Sequence, residues 1–207
     1  VSNYIEPFFG SGAVLLGRPP FDGNRIETVN DLDGFVANFW RSIALSPGET
    51  AKWADWPVNE LDLTARHVWL VEKMAGLSVR LEADPDYHDP KIAGWWVWGI
   101  SAWIGDGWCS GRGPWRVVEG CLAKGAGGDG VRRGLPHLGA SGKGVHRRHE
   151  GLEEWFCALS ARLRRVCVCS GDWRRVVTNS VLGATRGWVS AVFLDPPYSA
   201  ESGRQRD

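Results

Sequence analysis

The sequence predicts an α/β fold with a mostly parallel sheet, covered by helices on both faces and interrupted by a long insertion. Three observations carry that prediction. Short apolar runs at 1–6, 26–30, 166–169 and 188–194 each close on a turn rich in Gly, Pro, Asn or Asp. Helical periodicity lies between them, at 35–43 and at 152–163. Residues 52–150 have a different texture, first helical and Trp-dense, then basic and Gly-rich. The expected organisation is 1–51 and 151–207 as two halves of one α/β domain, with 52–150 inserted between them.

The elements follow in order. Val1–Glu6 is a strand, Phe8-Phe9-Gly10-Ser11-Gly12 a tight turn, and Ala13–Leu16 the start of a helix. Ile26–Asn30 is a second strand. Phe35, Phe39 and Ile43, with Val36 and Trp40 alongside, form an amphipathic helix that stops near Pro47-Gly48. Asn59 caps a further helix, with Asp62 reaching back and Leu63, Leu70 and Met74 as its apolar stripe. A polar loop at 82–90 precedes the block Trp95, Trp96, Trp98, Trp103 and Trp108, which reads as the core of a small helical lobe rather than a base-stacking surface. In the basic tract, Gly128-Asp-Gly-Val-Arg-Arg133 recurs as Gly142-Lys-Gly-Val-His-Arg147, a loop or hairpin pair presenting cations. Leu152, Trp155, Phe156, Leu159 and Leu163 mark the helix that returns the chain to the sheet. Strands at Val166–Cys169 and Trp188–Leu194 complete it.

Composition narrows the function classes. With 207 residues, 43% of them hydrophobic, the chain can bury a core, which excludes wholesale disorder. Its longest uncharged apolar stretch, Ile92 to Gly105, is 14 residues, short of the roughly 20 a membrane span needs. The five cysteines show no CxxC spacing and read as reduced thiols of a cytoplasmic protein. The five histidines show no metal-ligand spacing, so no metal is expected. Lys+Arg and Asp+Glu balance at 24 each, yet residues 1–110 hold 8 basic and 15 acidic side chains and residues 111–175 hold 13 and 6. The neutral total therefore conceals a basic segment suited to an anionic partner.

Three features fall where an open α/β sheet places a ligand, at the carboxyl ends of its strands. Gly10 and Gly12, after Glu6-Pro7-Phe8-Phe9, let the backbone turn sharply and approach a ligand closely; Leu15 holds the third position of a dinucleotide fingerprint and breaks it. Asp31 ends the second strand, where a carboxylate can accept both hydroxyls of a ribose. Its other reading is a helix N-cap, a role Asp33 could take instead. Asp172 ends the third strand, either as an acceptor for an adenine amino group or as a turn residue after Gly171. Asp195-Pro196-Pro197-Tyr198 is the most specific of these signals. Two prolines remove two amide donors, leaving a carboxylate and a carbonyl as acceptors beside a flat ring.

Tyr4-Ile5-Glu6-Pro7-Phe8-Phe9-Gly10-Ser11-Gly12-Ala13-Val14, Val29-Asn30-Asp31-Leu32-Asp33 and Asp195-Pro196-Pro197-Tyr198, in that order, closely resemble the Dam-like adenine-specific DNA methyltransferases. The resemblance covers about 1–50 and 165–199; residues 52–150 match a target-recognition insertion only in position and general size. It implies a Rossmann-like S-adenosylmethionine methyltransferase sheet with a mainly helical, loop-rich insertion. Glu6, Pro7, Phe8, Gly10 and Gly12 would frame the methionine part of the cofactor, Asp31 its ribose, and Asp172 its adenine. Asp195, Pro196, Pro197 and Tyr198 would form the pocket of a flipped target adenine. The partner would be double-stranded DNA, in a phage or restriction-modification setting.

Within the insertion, Arg112, Arg116, Lys124, Arg132, Arg133, Lys143, Arg147 and Arg148 suit phosphate contacts, which position a protein without specifying sequence. A solvated basic loop is the alternative. Family members carry a segment before the first strand and further strands after Asp-Pro-Pro-Tyr, whereas nine residues follow Tyr198 here, so truncation at both ends is expected. Two other readings stand beside the leading one. One is a methyltransferase acting on RNA or a protein glutamine; the other is an inactive fragment that binds nucleic acid.

Overall fold

A computed structural model describes residues 1–19, 23–84, 86–103, 108–109, 115–124, 151–183 and 189–196; the side chains of 115–117, 122 and 124 lie outside that description. The chain forms two compact units, 1–32 with 165–207, and 33–164.

The first unit is built on a four-stranded, wholly parallel sheet. Its strands are β1 (Asn3–Glu6), β2 (Ile26–Asp31), β5 (Val166–Ser170) and β6 (Ser190–Val192), in the order β5-β2-β1-β6. This is the parallel α/β arrangement that strand–helix alternation predicts. The helix α1 (Ala13–Gly17) follows β1, and a 3-10 turn at Trp173–Val176 follows β5. Ile5, Leu15 and Val29 are fully buried. Asn3, Glu6, Glu27, Thr28 and Asn30 are buried too, so the central strands bury polar groups that must find partners inside. Glu27 finds two: Arg18 at 2.6 Å, whose guanidinium also lies 4.2 Å from the Tyr4 ring centroid, and Arg25 at 3.2 Å. The last strand is shorter than the apolar run 188–194 suggests. Pairing with β1 covers only Ser190–Val192, opposite Asn3–Ile5. The amide of Phe193 adds one more bond, to the carbonyl of Ile5 at 2.9 Å.

The second unit is helical. It contains α2 (Gly34–Leu45), α3 (Pro47–Ala54), α4 (Glu60–Ala83), α5 (Pro90–Ala102) and α6 (Leu152–Leu163), with a hairpin of β3 (Trp115–Val118) and β4 (Cys121–Lys124). Asp33 caps α2 by accepting from the amides of Phe35 and Val36. Ser46 then separates α2 from α3, so Pro47 opens a helix where the sequence reading placed only a stop. Proline at the first helical position loses a donor that has no partner there anyway. Asn59 caps α4 as predicted, accepting from the Asp62 amide at 2.8 Å.

The buried stripe of α4 runs through Leu63, Leu70, Leu77 and Leu81, and Met74 is 43% exposed. That corrects the predicted stripe. One heptad to either side of Met74, His67 and Leu81 are both buried, so its exposure is local and not a turn of the whole stripe. Helices α3 and α5 approach closely at Gly94, where a Cβ would meet the Trp53 Cβ at 2.5 Å and the Thr50 carbonyl at 2.7 Å. Trp98 is fully buried and Trp108 nearly so, packed with Phe35, Leu70, Leu77 and Ile92. The Trp-dense block thus supplies the core of this unit. The hairpin turns at Glu119 (φ 49°) and Gly120 (φ 74°), both in the left-handed region that a two-residue hairpin turn requires. The predicted repeat at 128–147 lies outside the described residues.

Candidate functional site

Because the four strands run parallel, their carboxyl ends share one edge of the sheet, the place where such folds bind ligands. Strand order sets what meets there. Ser170-Gly171-Asp172 comes first, then Asp31, then the Glu6–Gly12 loop, then Asp195 three residues beyond β6. Segments far apart in sequence are thereby brought side by side.

The loop after β1 is tied down by its own backbone. The amide of Gly12 donates to the Phe9 carbonyl at 2.8 Å, and the amide of Phe9 donates to the Asn30 carbonyl at 2.9 Å. Gly10 and Gly12 take φ of 48° and 68°, values that cost a residue bearing a Cβ roughly 1–2 kcal/mol. A Cβ at Gly10 would meet nothing within 4 Å, so the requirement there is conformational and the loop's outer face is open. The Gly10 amide points at β2 and donates to Oδ2 of Asp31 at 2.8 Å. From the other side, the Gly171 amide donates to the Asp31 carbonyl at 3.0 Å. Asp31 therefore receives both neighbouring loops, while Asp33 takes the capping role that was its alternative.

Asn30 is a site residue that sequence reasoning missed. Only 1% exposed, it donates through Nδ2 to the carbonyls of Pro7 at 3.1 Å and Gly171 at 2.9 Å. One buried amide thus clamps the loops after β1 and β5, and its Oδ1 is buried without a hydrogen-bond partner. The available signal was an Asn at the end of an apolar strand, just before the acid. Those loops also carry a tilted aromatic pair, Phe8 and Trp173, with ring centroids 6.3 Å apart.

Glu6 is 2% exposed. Tyr4 donates its hydroxyl to Glu6 Oε2 at 2.9 Å, and the Leu15 amide donates to the same carboxylate. Burial nevertheless lifts the Glu6 pKa above the ordinary 4.5, and the like charge of Asp195 adds to that rise. Asp195 is thus within electrostatic reach of Glu6, at an exposed position. Burial and the neighbouring Glu6 raise the Tyr4 phenol in turn. Asp172 is exposed, caps the 3-10 turn through the Arg174 amide at 2.9 Å, and pairs with the Arg174 guanidinium at 3.1 Å. It has the turn role foreseen as its alternative.

The sheet edge therefore offers Glu6, Asp31, Asp172 and Asp195 as carboxylates, the Pro196 carbonyl as a further acceptor, and Phe8 and Trp173 as flat apolar surface. Such an edge suits a ligand rich in donors with a planar ring. Pro197 and Tyr198 lie outside the described residues, as do Arg112, Arg132, Arg133, Lys143, Arg147 and Arg148. The backbones of Arg116 and Lys124 belong to the hairpin, opposite Ala123 and Trp115 respectively. Among the described residues no three His, Cys, Asp or Glu side chains converge as a metal site, and no helix is long and apolar enough to cross a membrane. In comparisons with known proteins, no family model and no curated protein matches the chain.

Proposed function

We propose that the chain is an S-adenosylmethionine-dependent, adenine-specific DNA methyltransferase of the Dam-like kind. Its four-stranded sheet is then part of a Rossmann-like methyltransferase domain, and the helical unit contributes to target recognition. One observation carries the reading. The three motifs that resemble that family, with up to 180 residues between them in sequence, begin on or just after the adjacent strands β1, β2 and β6, at one edge as far as Pro196.

The donor set fits the cofactor. Besides its one carboxylate, S-adenosylmethionine presents an ammonium group, a ribose diol and an exocyclic amine as donors, and the edge is lined by acceptors for them. Asp31, already holding the Gly10 amide, is the acceptor for the diol. Gly10 leaves its outer face open for close approach. Asp172 and the Phe8–Trp173 pair serve the adenine end. Bound there, the cofactor supplies an electrophilic methyl group.

The chain's own residues do the rest. An exocyclic adenine amine is a weak nucleophile because its lone pair is delocalised into the ring. Acceptance of its two N–H bonds by the Asp195 carboxylate and the Pro196 carbonyl localises that pair and aims it. Catalysis rests on positioning and electrostatics, without a covalent enzyme intermediate. A duplex hides the amine, so the base must be flipped out, and Tyr198 is the ring on which it stacks. Arg112, Arg116, Lys124, Arg132, Arg133, Lys143, Arg147 and Arg148 hold the DNA backbone. The test is incubation with radiolabelled S-adenosylmethionine and unmethylated duplex DNA, followed by nucleoside separation. Label in N6-methyladenine supports the proposal; label in RNA or protein alone, or no cofactor binding, overturns it.

A further inference from the structure

Cys167 and Cys169 occupy alternate positions of β5 and so lie on the same face of the strand, with their sulfurs 3.8 Å apart. Cys167 is exposed and Cys169 half-buried. Strand β5 is the outer strand of its sheet, and the ladder fixes the pair opposite Thr28 and Asn30. This is a preformed dithiol held on a strand, and it takes no part in the proposed methyl transfer.

Its geometry selects what it can take. A direct disulfide fits poorly. Alternate residues of an extended strand have Cα atoms about 6.6 Å apart, near the upper limit for a disulfide, and the sulfurs would have to close to about 2.05 Å. A single bridging atom fits better. With bonds of about 2.3 Å to each sulfur, as zinc makes to thiolates, a near-tetrahedral angle spans about 3.8 Å. A divalent metal ion would need two more ligands and the loss of both thiol protons. No third His, Cys, Asp or Glu converges here among the described residues, and burial beside Cys167 pushes the Cys169 thiol up to about 11. A trivalent centre that already carries one organic substituent needs two thiols and no more, and its narrower pyramidal angle asks these sulfurs to close by only a few tenths of an ångström.

We propose that Cys167 and Cys169 form a vicinal-dithiol site for monosubstituted trivalent arsenicals. In the capture step, R–As=O reacts with two thiols to give R–As(S–Cys)2 and water. Two As–S bonds form and the As=O bond breaks. Both thiol protons leave with the oxygen, and arsenic stays trivalent, so no oxidant or reductant is needed. The second bond closes within the chain, which makes the adduct resistant to monothiols. The site is independent of the methyltransferase reading.

The experiment treats the folded full chain with phenylarsine oxide, adds excess glutathione, and reads the intact mass and the count of free thiols. The expected result is one phenylarsenic unit per chain and the loss of two thiols, mapped to the peptide bearing Cys167 and Cys169 and released by a small dithiol. Cys167→Ser and Cys169→Ser should each lose the glutathione-resistant adduct, with far-ultraviolet dichroism confirming the fold, and Cys157→Ser should keep it. Peptide mapping of the wild-type adduct tests the site even where a variant fails to fold. No resistant adduct on the wild-type chain, or an adduct mapped to Cys109, Cys121 or Cys157, overturns the proposal.

Discussion

The backbone N–H of Gly10 donates to Oδ2 of Asp31 at 2.8 Å, so the carboxylate that ends β2 also holds the loop after β1. Asp31→Ala removes that anchor. Weakening of S-adenosylmethionine binding by about tenfold or more, equivalent to about 1.4 kcal/mol, is the expected result in titration calorimetry. Gly10→Ala should bind poorly as well and melt about 2–4 °C lower, since φ of 48° costs a Cβ-bearing residue about 1 kcal/mol. Unchanged binding in both variants would remove Asp31 from the site.

Asn30 is the clamp of the same edge. Asn30→Ala leaves the carbonyls of Pro7 and Gly171 without their shared donor. The expected loss is about 2–4 kcal/mol in urea unfolding. Asn30→Asp should be no better, because it sets an acceptor against two carbonyls.

Glu6 gives a pH prediction. Its folded-state pKa lies above the ordinary 4.5 because burial disfavours the charged form. The folded chain then holds this proton more tightly than the unfolded chain does. Glu6 therefore favours folding below that ordinary value, and its contribution falls as pH rises from 4.5 through the raised folded-state value. Glu6→Gln should flatten this part of the profile and raise the melting temperature at neutral pH. A wild-type profile that rises over the same window and is unaltered by Glu6→Gln would contradict the assignment.

On the proposed function, substitution of Asp195 separates binding from chemistry. Asp195→Ala should abolish methyl transfer to DNA while leaving cofactor affinity within a few-fold of wild type. Retained transfer would refute its role as the acceptor for the target amine.

In the helical unit, Arg66 is 6% exposed with its guanidinium 4.2–5.1 Å from the ring centroids of Trp56, Trp95 and Trp98. Among the described residues its nearest acid oxygen is Asp62 Oδ2, at 3.8 Å, and Nη1 is buried without a hydrogen-bond partner. Arg66→Ala should cost about 2–4 kcal/mol through the vacated space and lost cation–π contact. Arg66→Met fills the same channel without an unpaired donor and should recover most of that loss in thermal melts.

What could be read from residue pattern was whatever a local rule controls. The strands around Ile5, Val29 and Val168, the caps at Asn59 and Asp33, and the core role of Trp98 and Trp108 all follow from periodicity or side-chain reach. What escaped depends on tertiary neighbours. Asn30 looks like a poor strand residue until two loops come within reach of its amide. Pro47 reads equally as a stop and as a first helical position, and only Ser46 between two helices decides. Met74 has the right spacing for the α4 stripe, and its row neighbours His67 and Leu81 are buried. Its own side chain is 43% exposed because nothing among the described residues covers it at that level. At the sheet edge, Asp31, Asp195 and Asp172, the last with its turn, were visible as acids after strands, whereas the pairing of Asp172 with Arg174 depends on how the 3-10 turn folds back.

The strand order β5-β2-β1-β6 also dictates when the sheet can form. Asn3 pairs with Ser190, so the outer strand β6 joins the sheet across 187 positions of sequence. Residues 33–164 are continuous and can condense as soon as they leave the ribosome. β1 and β2 pair with each other, but their outer edges must wait for β6 and β5. Closure over that separation carries a large loop entropy and is expected to be the slow phase of folding. Until it is complete, β1 and β2 carry unpaired edges, and this is the interval in which the nascent protein is most exposed to aggregation.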